Sequence, residues 1–188
     1  MRIVIPLALV AAVAGAAPAN AAFENLPPVG CILSRTERLP RADLVELVQS
    51  GFAPTSKSGK ASMMTVGQVV QGCRRSYGWS KPREDAAMQY FAMRVLHDAA
   101  IEQGMRFGLT EPTLANYVSA LTAEATATYT TGKVTPELNR AAFAHLEKSG
   151  VPVATMKPEE IQALGQAFNM AIYTRLGQAN AEKAYAGK

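Results

Sequence analysis

The two histidines are the first candidates for acid–base or metal chemistry, because an imidazole can do either near neutral pH. His145 lies between alanines and Leu146 on the apolar face of a predicted helix. We therefore expect it to be a core residue with one hydrogen bond rather than a base or a ligand. His97 lies beside Asp98 on the polar side of another helix, which we predict to be solvated. No spacing joins the two histidines, so a metal site would have to be assembled by the fold.

Arg175 is the one candidate binding residue in the C-terminal half of the chain. It falls in the middle of the apolar stripe of the last predicted helix. An unpaired buried guanidinium is costly, so we expect Arg175 to pair with a carboxylate or to extend past the edge of the core. Ligand binding is the alternative. The carboxylates that we consider as partners are Asp98 and Glu102.

Positive charge is concentrated in the N-terminal part of the chain. Residues 22–83 contain nine Lys or Arg residues and four acids, whereas residues 84–188 contain nine bases and eleven acids. For an exported protein, the anionic partners to consider are lipid head groups, cell-wall polymers and acidic proteins, and nucleic acid is not expected. A solvated basic surface without a partner is the alternative. Together with Arg175, the candidate binding residues are Arg35, Arg38, Arg41, Arg74 and Arg75.

The two cysteines, Cys31 and Cys73, predict a disulfide if the chain reaches an oxidising compartment. Closing a loop of this length stabilises the fold by roughly 4 kcal/mol on the chain-entropy model. A metal or redox pair is the alternative, but the sequence has no CxxC, CxxCH or Cys/His cluster. We therefore interpret the pair as structural.

No pattern in the sequence assigns a catalytic residue. The GxSxG and HExxH motifs are absent, and the glycine and lysine at positions 59 and 60 lack the flanking Gly and Ser or Thr of a phosphate-binding loop. The acidic pairs Glu84-Asp85 and Glu159-Glu160 lie in predicted first turns of helices, where the helix dipole explains them. No cofactor is predicted, and an enzyme is the less favoured interpretation.

Methionines could provide a metal site of a different kind, because clustered thioethers bind Cu(I). Seven methionines follow residue 21. Met88 and Met93 lie on the apolar arc of a predicted helix, and the closely repeated Met spacing of a copper site is missing. Packing of the core is the better interpretation, and no metal ligand is predicted.

The first 21 residues have the pattern of a secretory signal peptide. Arg2 precedes an apolar stretch that ends near Ala17, and Ala19-Asn20-Ala21 forms a cleavage site. An uncleaved anchor is the alternative, but the stretch is short for a bilayer span. We predict cleavage after Ala21, a periplasmic or secreted protein, and a single domain over residues 22–188 without an integral membrane segment.

Start and stop signals predict helices through the rest of the chain. The longest covers residues 81–107, with Ser80 as N-cap and Pro82 in the first turn. Its apolar arc of roughly 160° is wide enough to contact more than one neighbour. Further helices are predicted at 40–50, 66–77, 110–129, 135–149 and 158–184, and 53–62 is predicted to be a mobile loop. Strand signals are almost absent. The predicted fold class is all-α, with about six helices packed around the central one and one disulfide.

These patterns favour an exported, non-catalytic helical protein that binds a partner protein or an anionic envelope component through its basic N-terminal region. The first alternative is a peptidoglycan hydrolase of the α-helical, lysozyme-like type, which can work with one acidic residue in a cleft. The second alternative is a periplasmic metal-binding protein.

Overall fold

The computed structural model describes residues 28–187, so the predicted signal peptide lies outside the described residues. Within this range the chain forms eight α-helices and two short 3-10 turns, Pro28–Gly30 and Val153–Thr155, and no β-strand. The α-helices are α1 (Cys31–Thr36), α2 (Arg41–Gln49), α3 (Lys57–Tyr77), α4 (Lys81–Met105), α5 (Glu111–Ser119), α6 (Ala123–Thr130), α7 (Pro136–Lys148) and α8 (Pro158–Ala186). The predicted all-α fold with a long central helix is confirmed.

Helices α4 and α8 run antiparallel and form the centre of the fold. Trp79, just before α4, donates a hydrogen bond from its indole nitrogen to the hydroxyl of Tyr185 at the far end of α8, at 2.6 Å. Further along, Met93 lies against Gly177, and His97 faces Thr174. Helix α4 also contacts α1, α2 and α3, as its wide apolar arc predicts.

Two groups of buried side chains lie along this helix pair. The first joins the N-terminal half of α4 to α1, α2 and α3, and its large members include Ile32, Leu47, Val66, Trp79 and Phe91. The second joins the C-terminal end of α4 to α5, α6, α7 and α8, and includes Leu109, Leu114, Tyr129, Leu146, Leu164, Phe168 and Ile172. Every other helix therefore packs against one half or the other of the central pair.

The disulfide Cys31–Cys73 is present and confirms the predicted pairing. Its two Cα atoms lie 6.1 Å apart, across the contact between α1 and α3. Both cysteines are buried. Helix α1 is too short to be stable alone and is not among the helices predicted from the sequence, so the disulfide is a main reason that it stays against the core.

The predicted mobile loop at 53–62 is wrong, because α3 begins at Lys57 rather than near Val66. Ser56 is the N-cap and accepts a hydrogen bond from the amide of Gly59 at 2.9 Å. The carboxylate of Glu46 in α2 accepts hydrogen bonds from the amides of Thr55 (3.0 Å) and Ser56 (2.9 Å) and from the Ser56 hydroxyl. A side chain from another helix thus fixes the start of α3.

The helix predicted over 110–129 is two helices in the structure. Helix α5 ends at Ser119, and Thr122 caps α6 by accepting a hydrogen bond from the amide of Ala125 at 3.2 Å. The change of direction lets Tyr129 reach the core, where it is fully buried. The helices predicted at 135–149 and 158–184 agree with α7 and α8 to within two residues at each end.

A buried glycine, Gly104, forms the end of α4. Its carbonyl accepts hydrogen bonds from the amides of Phe107 (2.9 Å) and Leu109 (3.1 Å), which folds the chain back over the helix end. A Cβ atom at position 104 would lie 2.9 Å from the Cβ and 2.5 Å from Cδ2 of the fully buried Leu109. Only glycine fits this close approach.

We expect Gly104→Ala to destabilise the protein by about 1–3 kcal/mol, because the added methyl group overpacks the contact with Leu109. Gly67→Ala is the matched control, since Gly67 is exposed on α3 and its added Cβ would meet nothing within 4 Å. The control should gain about 0.5–1 kcal/mol from helix propensity. Urea unfolding of both variants measures the difference, and a Gly104→Ala protein as stable as the native one would contradict this account.

Glu46 should make stability depend on pH. Its hydrogen bonds, first that from the Ser56 side chain, lower the pKa of Glu46 below its ordinary value of 4.5. A lowered folded-state pKa contributes stability that is fully present above the unfolded value and is lost as pH falls through the folded one. Glu46→Gln should therefore be less stable than the native protein at neutral pH, and the gap should narrow on acidification.

The control for this experiment is Glu37→Gln, which removes an exposed carboxylate that forms no hydrogen bond or ion pair with residues 28–187. Thermal unfolding from neutral pH to below pH 4 compares the three proteins. A constant gap between native and Glu46→Gln proteins across that range would show that the Glu46 carboxylate does not hold α3 in place.

Candidate functional site

The six predicted binding arginines divide into two groups. Arg41, Arg74 and Arg175 each form an ion pair within the fold. Arg35, Arg38 and Arg75 are exposed and form no ion pair with residues 28–187. Three of the six arginines are therefore engaged in ion pairs within the fold, and the second group has no acidic partner in this range.

Arg35, Arg38 and Arg75 form what we call the basic face. Arg35 lies on α1 and Arg38 follows one turn later, while Arg75 lies on α3. The Arg35 guanidinium lies against Gly72 and donates a long hydrogen bond of 3.5 Å to the hydroxyl of Ser76, the residue next to Arg75. The disulfide at Cys31 and Cys73 holds α1 beside this part of α3.

Asp98 and Glu102, considered as partners of Arg175, bind a different arginine. Arg41 at the start of α2 contacts Asp98 at 3.2 Å and Glu102 at 3.3 Å, and Arg94 contacts Asp98 at 2.9 Å. These side chains are partly to largely exposed, so each pair contributes at most about 1 kcal/mol. The network connects α2 to the solvent side of α4.

Arg175 pairs instead with Glu111 at the start of α5. The other oxygen of Glu111 lies 3.0 Å from Nε2 of His97. His97 is 3% exposed, so the prediction that it is solvated is wrong. Helix α8 and the start of α5 cover the side of α4 on which it lies. His97, Glu111 and Arg175 thus form a cluster that joins three helices at the junction between the two core groups.

Both ring nitrogens of His97 have hydrogen-bonding partners. Nδ1 of His97 lies 3.3 Å from the carbonyl oxygen of Ala171 and 3.3 Å from the hydroxyl of Thr174, which itself donates to the carbonyl of Met170 at 2.8 Å. Nδ1 therefore donates, and Nε2 faces a carboxylate. Both ring nitrogens are occupied and the ring is buried, so His97 has no free position for a substrate proton or a metal. The cluster is a structural contact between helices.

His145 is half-buried, and its contacts are close to those of the core residue that the sequence predicts. Its Nε2 donates to the carbonyl oxygen of Thr113 at 3.0 Å, and its ring packs at 5.1 Å from that of Tyr117. The hydroxyls of Tyr117 and Tyr129 lie 3.2 Å apart. Burial, followed by the hydrogen bond to Tyr117, raises the pKa of Tyr129 well above its ordinary value, so Tyr129 stays neutral. His145 takes no part in the ion pairs of Arg175 or Asp98.

Glu111 and Glu46 are the residues that sequence reasoning missed. Glu111 follows the cap residue of a helix in the sequence Thr110-Glu111-Pro112, and its contact with His97 depends on how α5 folds back onto α4. Glu46 lies ten residues before Ser56, and side chains at that spacing do not contact each other within a single helix. No local signal could have identified either role.

Residues 28–187 contain no group of three or more His, Cys, Asp or Glu side chains that could hold a metal ion. In the same range, no helix has the combined length and apolar character needed to cross a bilayer. The chain matches no protein-family model, and no curated protein or solved structure shows significant similarity to it. The site must therefore be interpreted from its own geometry.

We expect the His97–Glu111 contact to stabilise the protein more than the Arg175–Glu111 contact. Loss of Glu111 leaves a buried ring nitrogen of His97 without its partner, which costs about 1–3 kcal/mol. The Arg175 and Glu111 side chains are 41% and 45% exposed, and a pair of that kind contributes about 0.2–1 kcal/mol. Double-mutant cycles with Glu111→Ala, His97→Phe and Arg175→Met measure the two couplings separately. A larger coupling for Arg175 would reverse this ranking.

Proposed function

We propose that this is an exported, non-catalytic helical protein that binds an anionic component of the cell envelope through the basic face. The observation that carries the proposal is that Arg35, Arg38 and Arg75 are exposed and have no acidic partner among residues 28–187. Arginine donates paired hydrogen bonds that match phosphate and carboxylate groups. The basic face therefore suits a ligand that repeats such groups along a surface.

The surroundings of the basic face favour a polyanion over a partner protein. Protein interfaces depend on apolar or aromatic residues that become buried at their centre. In α1 and the C-terminal half of α3, the exposed large hydrophobic residue is Tyr77, 47% exposed, and the exposed methionines Met63 and Met64 lie more than two turns away on α3. An acidic protein remains the alternative partner.

Export is the second part of the proposal. Disulfides form and persist in oxidising compartments, so the Cys31–Cys73 bond supports a periplasmic or extracellular location. The signal peptide predicted at residues 1–21 supplies the route, with cleavage after Ala21.

The two alternative functions have less support. A lysozyme-like hydrolase needs a carboxylic acid with a raised pKa in a cleft. Glu46 borders a cleft between α2 and α4, but its hydrogen bonds lower its pKa, which disfavours a general acid. A metal carrier would need exposed thioethers close together, and among the exposed methionines of residues 28–187 the one pair adjacent in sequence is Met63 and Met64.

The test is binding of the mature chain to vesicles made of equal parts phosphatidylglycerol and phosphatidylcholine. Each arginine at an anionic surface contributes about 1 kcal/mol. Replacing all three of Arg35, Arg38 and Arg75 with Gln should therefore weaken binding by about 3 kcal/mol, or roughly 100-fold. Vesicle sedimentation at several salt concentrations measures it, and the salt dependence should become shallower because fewer charges are neutralised.

The matched control replaces three exposed lysines outside the basic face, Lys57, Lys133 and Lys183, with Gln and so removes the same net charge. It should keep nearly native binding. An equal loss in both triple variants would mean that net charge alone, not the basic face, controls binding. Absence of native binding to the vesicles, with cross-linking to an acidic protein that requires the three arginines, would favour the partner-protein alternative.

A further inference from the structure

A groove crosses α4 between α2 on one side and α8 on the other, and none of the basic-face residues lines it. It has two connected parts that share Val45, Gln49, Ala99 and Gln103. The part toward α8, the apolar cleft, has a volume of about 820 Å³. The part toward α2, the charged cleft, has a volume of about 850 Å³. Volumes of this size are typical of small-molecule sites.

The apolar cleft has no charged residue in its lining. Its walls come from α2, α4, α6, α8 and the loop after α6, with Val45, Leu96, Val134, Met170 and Tyr173 as the main apolar surfaces and side-chain amides at Gln49, Gln103, Gln166 and Asn169. Ala99 and Ala100 leave room at its floor. Met170 is 44% exposed although it borders this apolar surface. Covering this exposed apolar surface with a hydrocarbon chain would therefore lower the free energy of the protein in water.

The charged cleft contains four charged residues, and three of them already have partners. Arg41 pairs with Glu102 at 3.3 Å, and the Glu46 carboxylate accepts the hydrogen bonds from Thr55 and Ser56. The fourth, Arg106, is exposed and forms no ion pair with residues 28–187.

The Arg106 guanidinium lies 4.5 Å from the ring centre of Phe107. On its other side it borders a smaller cleft with Glu159 and Glu160, but neither carboxylate pairs with it. The amide of Lys157 donates to Glu160 at 2.9 Å. Arg106 is thus the cation of the groove that has no ion-pair partner among residues 28–187.

We propose that this groove binds a single-chain anionic amphiphile, with the hydrocarbon chain in the apolar cleft and the head group at Arg106. A fatty carboxylate and an alkyl phosphate share this chemistry. A neutral ligand would leave Arg106 without a partner, and a polyanion would have no second free cation in the groove. The side-chain amides of Gln49 and Gln103, where the two clefts meet, can donate to the head group as well.

The first test is calorimetric titration of the mature chain with dodecanoate, dodecyl phosphate, octanoate and dodecanol. Burial of one methylene group is equivalent to about a fourfold change in affinity, so dodecanoate should bind at least tenfold more tightly than octanoate. Dodecanol, which has no charge for Arg106, should bind more weakly than dodecanoate. The ratio of dodecanoate to dodecyl phosphate affinity identifies the preferred head group.

The second test uses variants. Ala99→Trp places an indole where the two clefts meet and should weaken dodecanoate binding at least about tenfold. Ala144→Trp, on the exposed side of α7, adds the same side chain outside the groove and should bind as the native protein does. Arg106→Gln, at an exposed position, should remove the preference for dodecanoate over dodecanol. Circular dichroism shows whether Ala99→Trp folds, and if it does not, the Arg106→Gln variant still tests the proposal.

Equal binding of dodecanoate by the native and Ala99→Trp proteins would overturn the proposal, as would equal affinity for dodecanoate and octanoate. Absence of binding by all four ligands would overturn it too. The triple variant of Arg35, Arg38 and Arg75 should still bind dodecanoate, so failure of the basic-face proposal and failure of this one are distinguishable.

Discussion

The close antiparallel contact between α4 and α8 is the constraint on which the rest of the structure depends. Small residues permit it: Gly177 lies so near Met93 that a Cβ there would be 2.7 Å from its sulfur, and Ala87, Ala100, Ala171 and Ala181 are buried along the pair. Two long helices at this distance have little space between them, so the remaining helices must pack on either side. The N-terminal helices cover one half and α5, α6 and α7 cover the other. Each half then buries enough apolar surface to hold helices that are too short to be stable alone.

Burial on both sides of α4 changes what its polar positions require. A histidine on a surface helix needs no partner, but His97 is enclosed by α8 and the start of α5 and must satisfy both ring nitrogens inside the protein. Thr174 and the Ala171 carbonyl do so on α8, and Glu111 does so from α5. Because Glu111 also contacts Arg175, the cluster sets the position of α5 relative to both long helices. An apolar residue at position 97 could fill the same space but would not specify that position.

Features encoded within one helix were predictable from the sequence, and features that join two helices were not. The start signal at Ser80 and Pro82 and the predicted helix starts at 110 and 135 each agree with an observed start, since cap residues and prolines act within one turn. The start of α3 was not predicted correctly, because the carboxylate that fixes it comes from α2. The burial of His97 was not predicted either, because a helical wheel identifies a polar side but not the helices that cover it. The partner of Arg175 lies 64 residues earlier, where no spacing rule applies. The cysteine pair is the exception among long-range contacts, because two cysteines allow only one pairing.

The same distinction applies to charge and therefore to function. Formal charge is a property of composition, whereas the charge that can attract a ligand is what remains after the fold has paired acids with bases. Folding pairs Arg41, Arg74 and Arg175 and leaves Arg35, Arg38 and Arg75 exposed beside the disulfide. Helix α1, which carries Arg35, has few residues to bury, so the covalent bond from Cys31 to Cys73 holds Arg35 beside the part of α3 that carries Arg75. Arg35 contacts Gly72 and Ser76, but no acid among residues 28–187 pairs with any of the three arginines, and this is the physical reason for proposing a ligand there.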